Sequence, residues 1–283
     1  MSSEELKFKF NLVYLLPILT SLLVGFGCAW LLKSPQGSSA LPGVPPVTPF
    51  PDTTITGPVS NAIFFMVVVA LSATVFYFLL KQNKAKFIKI AIFAVMTLGS
   101  TLLSIIYLST LLADTPYYNL YLIIGLTILI TALFDLAIFK FTKAQNIAVI
   151  CFGGSFGALF SFLLPQYSAI AILIFLAIYD IFAVYRGPVG KIAQSGIDQL
   201  SGLSYSFKDI QMGLGDLFFY TVLMCYMFFN FPISILPTIM SVVGICIGSI
   251  ITFYMLEKKG IFPGLPFPIA IGLALGFIAS LLI

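Results

Sequence analysis

The sequence predicts an all-α membrane protein of nine transmembrane helices, with the N-terminus in the cytoplasm and the C-terminus outside. Three observations lead there. Of 283 residues, 60% are hydrophobic and only 8% are charged, with a mean hydropathy of +1.11; a soluble domain carries about 25% charged residues. Apolar runs of about 20 residues, the length that crosses a bilayer as a helix, recur along the whole chain. Thirteen of the fourteen basic residues fall on alternate connections, as the excess of Lys and Arg in cytoplasmic loops requires. An outer-membrane barrel would instead show alternating segments of ~10 residues, and none is found.

The runs lie at roughly 11–32, 60–80, 87–112, 118–139, 146–164, 167–185, 211–230, 233–255 and 266–283, so that one polytopic domain fills residues 1–283. The first follows Lys7 and Lys9 and ends at Lys33, the one basic residue outside the alternation. It is too long for the apolar part of a signal peptide and has no small-x-small cleavage pattern, so it is read as an anchor. Lys33 to Pro58 is rich in Pro, Ser and Thr and is expected to be extended or loosely ordered. Spans two to six are joined by short links, with Lys81, Lys84, Lys86 and Lys89, then Lys140 and Lys143, on the inner side. A polar, glycine-punctuated inner segment, Arg186 to Ile210, leads into span seven, and Glu257 to Pro268 leads into the short span nine.

Gly153 and Gly157, Gly244 and Gly248, and Gly272 and Gly276 stand four residues apart within spans. Small residues at this spacing let helices approach closely, which is how association is driven in lipid. No internal repeat of the transporter kind is visible. Cys28, Cys151, Cys225 and Cys246 all lie in spans and read as small apolar fillers. Without histidine or a cysteine cluster, no metal site and no cofactor is expected. The net charge of +4 reflects cytoplasmic anchoring rather than nucleic-acid binding.

Three acidic residues sit inside apolar runs: Asp135, Asp180 and Asp216. A carboxylate near the middle of a membrane helix costs roughly 2.5–3.5 kcal/mol, so it is seldom incidental. Asp180 precedes Arg186 by six residues, or ~9 Å of helix; Asp216 follows Lys208 on the next, outward-running span. The two should therefore lie at similar depth toward the cytoplasmic side. Facing carboxylates in a low-dielectric site tend to share one proton, an arrangement suited to aspartyl-protease chemistry. The same two acids could also serve a structural role or a proton path. Asp135 is expected to be structural, with Lys140 or Lys143 in reach near the interface. Gly213 and Gly215 are expected to thin the helix before Asp216 and admit another backbone. Pro263 and Pro266 disfavour regular helix; the stretch around them either starts span nine or offers extended backbone to an unwound substrate.

Tyr179–Asp180 in span six, "GLGD" at Gly213, Leu214, Gly215 and Asp216 in span seven, and Pro263, Gly264 and Leu265 before span nine resemble three motifs of one family. That family is the presenilin and signal peptide peptidase group of GxGD intramembrane aspartyl proteases. The chain looks most like its archaeal members. Prepilin peptidases share a GxGD aspartate but cut beside the membrane and lack the nine-span series. The resemblance implies a presenilin-like fold, Asp180 and Asp216 as catalytic residues, and Tyr179, Gly213, Leu214, Gly215, Pro263, Gly264 and Leu265 as residues shaping the site. It implies no cofactor. The partners would be membrane lipid and transmembrane-helix substrates, such as signal-peptide remnants or spans of membrane proteins, cut in a prokaryotic cell membrane. Whether copies of the chain associate into a homo-oligomer stays open. Two departures stand out: Gly264 replaces the family's alanine, and the loop between spans six and seven is far shorter than in eukaryotic presenilins, which puts self-cleavage there in doubt.

Overall fold

A computed structural model describes residues 11–34, 46–82, 84–113, 115, 117–186, 204–207, 210–231 and 233–282. Among them are nine α-helices: α1 (Leu16–Lys33), α2 (Gly57–Lys81), α3 (Ala85–Leu112), α4 (Leu120–Lys140), α5 (Thr142–Leu163), α6 (Gln166–Tyr185), α7 (Leu214–Asn230), α8 (Leu236–Lys259) and α9 (Pro266–Ser280). Each coincides with one predicted span. Proline sits at the first or second position of α1, α2, α8 and α9, where its missing N–H has no intrahelical partner to lose. Asn119 caps α4 by accepting the Tyr121 amide at 2.9 Å. The α8 helix stops at Gly260, whose φ of 76° is left-handed and favours glycine.

Seven of these helices are long and apolar enough to cross a membrane, and α7 and α9 are shorter apolar helices. The protein is a multi-pass integral membrane protein. At 1.5 Å per residue, the 17 residues of α7 span about 26 Å and the 15 of α9 about 22 Å, against a hydrocarbon core of roughly 30 Å. Both fall short at their N-terminal ends, which lie on the same side of the bundle. What replaces the missing turns is backbone of another kind. Before α7 comes an antiparallel hairpin of β1 (Ser204–Phe207) and β2 (Ile210–Gly213), with Ser204 opposite Gly213 and Phe207 opposite Ile210. Before α9, residues 261–265 are irregular. The expected span at 211–230 is thus corrected: its first residues belong to a strand, because Gly213 is extended at φ −67°, ψ 143° and the helix opens at Leu214. The first strand lies in the polar Arg186–Ile210 segment and the second runs from its last residue into the expected span; no hairpin was expected there. Residues 187–203, where self-cleavage was in question, lie outside the described residues.

α7 is the central helix, buried on every side from Tyr220 to Phe228, as a helix apolar all round should be. It contacts α1, α5, α6, α8 and α9. The predicted glycine pairs make this closeness feasible. A Cβ on Gly157 would come within 2.8 Å of the Phe218 carbonyl oxygen of α7, one on Gly276 within 2.6 Å of Met227, and one on Gly244 within 2.7 Å of the Gly272 Cα. The last contact joins α8 to α9, the most extensively packed pair in the bundle.

At the opposite end from the hairpin, part of the Lys33–Pro58 connection is firmly held rather than loose. Asp52 accepts the amides of Tyr167 at 2.9 Å and Ser168 at 3.0 Å, together with the Ser168 hydroxyl. It thereby satisfies orphan donors at the start of α6, whose own N-cap, Pro165, supplies no side-chain bond. Buried Asn61 of α2 bonds both the amide and the carbonyl of Phe50 at 2.9 Å, and donates to Ser168 Oγ at 2.8 Å.

Candidate active site

Asp180 lies five residues before the end of α6, and Asp216 is the third residue of α7. Position within α7 explains how an acid is tolerated there. The first turn of a helix carries unpaired N–H groups and the positive end of its dipole, which favour a carboxylate by about 0.3–1 kcal/mol. The Asp216 carboxylate also turns back to the Gly213 amide, as the acidic member of a capping box does. Both acids are half-buried.

The two are brought together by the segment ahead of α9. The Leu265 amide donates to Asp180 Oδ2 at 2.9 Å. On the adjacent residue, a Cβ placed on Gly264 would sit 2.7 Å from Asp216 Oδ1 and 2.9 Å from its Cγ. The carboxylates thus rest against two consecutive residues and lie near enough to interact electrostatically. The Tyr220 hydroxyl donates to the Gly264 carbonyl oxygen at 2.9 Å. Tyr220 stands one helical turn after Asp216, is buried, and fixes the orientation of the Gly264–Leu265 peptide from the α7 side. Sequence reasoning missed it, although the four-residue spacing puts it on the same face of α7 as Asp216.

The remaining expected residues are placed unevenly. Tyr179 is half-buried beside Asp180. Leu214 packs with the core and lies 3.4 Å from where a Cβ on Gly153 would be. Pro263 stands within the irregular stretch, and Pro266 opens α9, as the reading that these prolines start span nine expected. Gly213 and Gly215 need correcting. A Cβ on Gly215 would meet nothing within 4 Å, and one on Gly213 would meet only Asp216 Oδ2 at 3.7 Å and Gly215 N at 3.9 Å. The close backbone approach to the carboxylate expected there is made instead at Gly264. Asp135 is remote from the site: the Thr97 hydroxyl of α3 holds it at 3.0 and 3.1 Å. That partner is a hydroxyl on the facing helix, where Lys140 or Lys143 was expected. Among the described residues no cluster of three potential metal ligands occurs.

No protein-family model and no curated protein matches the chain by sequence. Its fold is nonetheless similar to that of solved structures. A presenilin family intramembrane aspartate protease crystallised in space group C222 superposes with a TM-score of 0.67 at 18% identity, over 97% of this chain and all of that one. A structure of a presenilin family intramembrane aspartate protease in space group P2 gives a TM-score of 0.61 at 20% identity, over 94% and 95% of the two chains. The chain has the presenilin-like fold.

Proposed function

We propose that the chain is an intramembrane aspartyl endopeptidase, hydrolysing peptide bonds within transmembrane helices of other proteins with Asp180 and Asp216 as the acid–base pair. One observation carries this reading: two acids from different helices abut the same dipeptide, Gly264–Leu265, at the end of the bundle where α7 and α9 stop short. The likeness of fold to intramembrane aspartate proteases supports it. The membrane concerned is that of a prokaryotic cell.

The chemistry follows from paired carboxylates. The ionised partner takes a proton from water as the water oxygen bonds to the scissile carbonyl carbon. The protonated partner donates to the carbonyl oxygen. When the C–N bond of the resulting tetrahedral species breaks, a proton passes to the departing amine, leaving a carboxyl and an amine end. No nucleophilic side chain is needed. A substrate helix shields its own peptide bonds, so it must unwind locally, and the freed backbone groups need partners inside the membrane. The hairpin is two-stranded among the described residues, which leaves outer edges able to pair with an extended segment. Tyr220, through Gly264, holds the acid-binding segment in place.

Mass spectrometry of products from a synthetic transmembrane helix, with wild type and the Asp180→Asn and Asp216→Asn variants, tests the assignment. Cleavage by wild type alone is expected. Equal cleavage by all three would refute the pair, and acid-dependent ion flux without peptide products would point to a proton path instead.

A further inference from the structure

On the α8 side of Asp216 lies a cavity of about 130 Å³, well above the ~10–15 Å³ that one buried water requires. Its polar lining consists of Asp216, Tyr220, Ser249 and Thr252, and its walls include Met212 and Phe253. Thr252 is buried, at 6% exposure, and its hydroxyl has no hydrogen-bond partner among the described residues. Two neighbouring hydroxyls bond back to the carbonyl four residues earlier, Ser249 to Ile245 at 2.8 Å and Thr221 to Leu217 at 2.9 Å; Thr238 and Ser241 of α8 lack partners as Thr252 does, but they do not line this cavity. Thr252 makes no such bond. A buried hydroxyl without a partner costs about 1–3 kcal/mol, unless water supplies the missing bond.

We propose that this cavity holds water and that Thr252, with Ser249, positions it next to Asp216, so that α8 supplies the reaction with its hydrolytic water. The inference rests on the hydrolytic reading above. A water here can bond the Thr252 hydroxyl, the Ser249 oxygen and the Asp216 carboxylate, which meets the usual count of about three partners. The apolar remainder of the wall keeps the pool small. Thr252 and Ser249 are positioning residues, acting through the water rather than on the substrate.

The test uses the full chain in detergent micelles and two readouts. The first is cleavage of a synthetic transmembrane helix by wild type, Thr252→Val, Thr252→Ser and Ser249→Ala. Thr252→Val is expected to lower kcat about three- to tenfold with KM unchanged, the size of one lost hydrogen bond, while Thr252→Ser keeps near-wild-type rate and Ser249→Ala falls between. The second is X-ray radiolytic labelling of buried Met212, which reports water at its side chain whatever the activity; Thr252→Val should reduce it severalfold. Unchanged Met212 labelling, or a Thr252→Val enzyme with wild-type kcat, overturns the proposal. Failure of the protease reading looks different: wild type then yields no products, while Met212 labelling still decides whether the cavity is wet.

Discussion

Helix α6 has an aspartate in play at each end, and the two are used in opposite ways. At its start, Asp52 accepts two backbone amides and a hydroxyl, and neighbouring Asn61 spends its side chain on Phe50 and Ser168. Near its other end, Asp180 accepts the Leu265 amide, and across the same segment Asp216 faces a cavity lined by hydroxyls. A carboxylate that spends three hydrogen bonds on its own chain is a fastener. One with spare capacity beside space for water and substrate is equipped for chemistry. Buried polar networks lend rigidity, and the Asp52–Asn61 clasp supplies it to the helix that carries Asp180.

The contrast can be broken most sharply at the acids themselves. Asp180→Asn or Asp216→Asn should reduce cleavage by at least ~10²–10⁴-fold, the range of general acid–base contributions, with the melting temperature in detergent little changed. Asp52→Ala should do the reverse: about 1–3 kcal/mol of stability lost, because α6 amides are left without their acceptor, measured by thermal unfolding, with turnover per folded molecule preserved. Were Asp52→Ala to abolish turnover in fully folded protein, the division of labour along α6 would be wrong. Tyr220→Phe removes one hydrogen bond to Gly264 and should slow kcat by about three- to tenfold; steady-state kinetics on the same peptide would show it. Gly264→Ala is the mildest change. Its Cβ would press on the Asp216 carboxylate, but those atoms end a rotatable side chain, so the stability loss should stay below ~1 kcal/mol and the rate within about threefold. A large drop in melting temperature would show that the segment is wedged more tightly than this.

Resemblance and physics read different parts of the site from the sequence. Asp180 and Asp216 stood out because acids in apolar runs are costly, and Gly264 and Leu265 only through the motif they resemble. Tyr220 did not stand out. It is one of 13 tyrosines, and its hydrogen bond runs to a residue 44 positions away. Asp52 lay in a connection whose composition signals only irregular structure, yet its partners stand 115 and 116 residues on. Thr252 looked like any membrane-helix threonine until its missing bond was seen against Ser249, one turn back.

By itself the sequence determined the nine helices found among the described residues, their ends to within a few residues, the three intramembrane acids and the small-residue contacts. Each of these is a matter of whether a residue meets lipid, water or a neighbouring backbone, and one-dimensional patterns record that directly. Only the tertiary structure decided that α7 and α9 stop short on the same side, that Leu265 and Gly264 abut the two acids, and that a polar cavity opens beside Asp216. Those outcomes depend on the rotation and depth of each helix against its neighbours, set by close packing summed over the whole bundle.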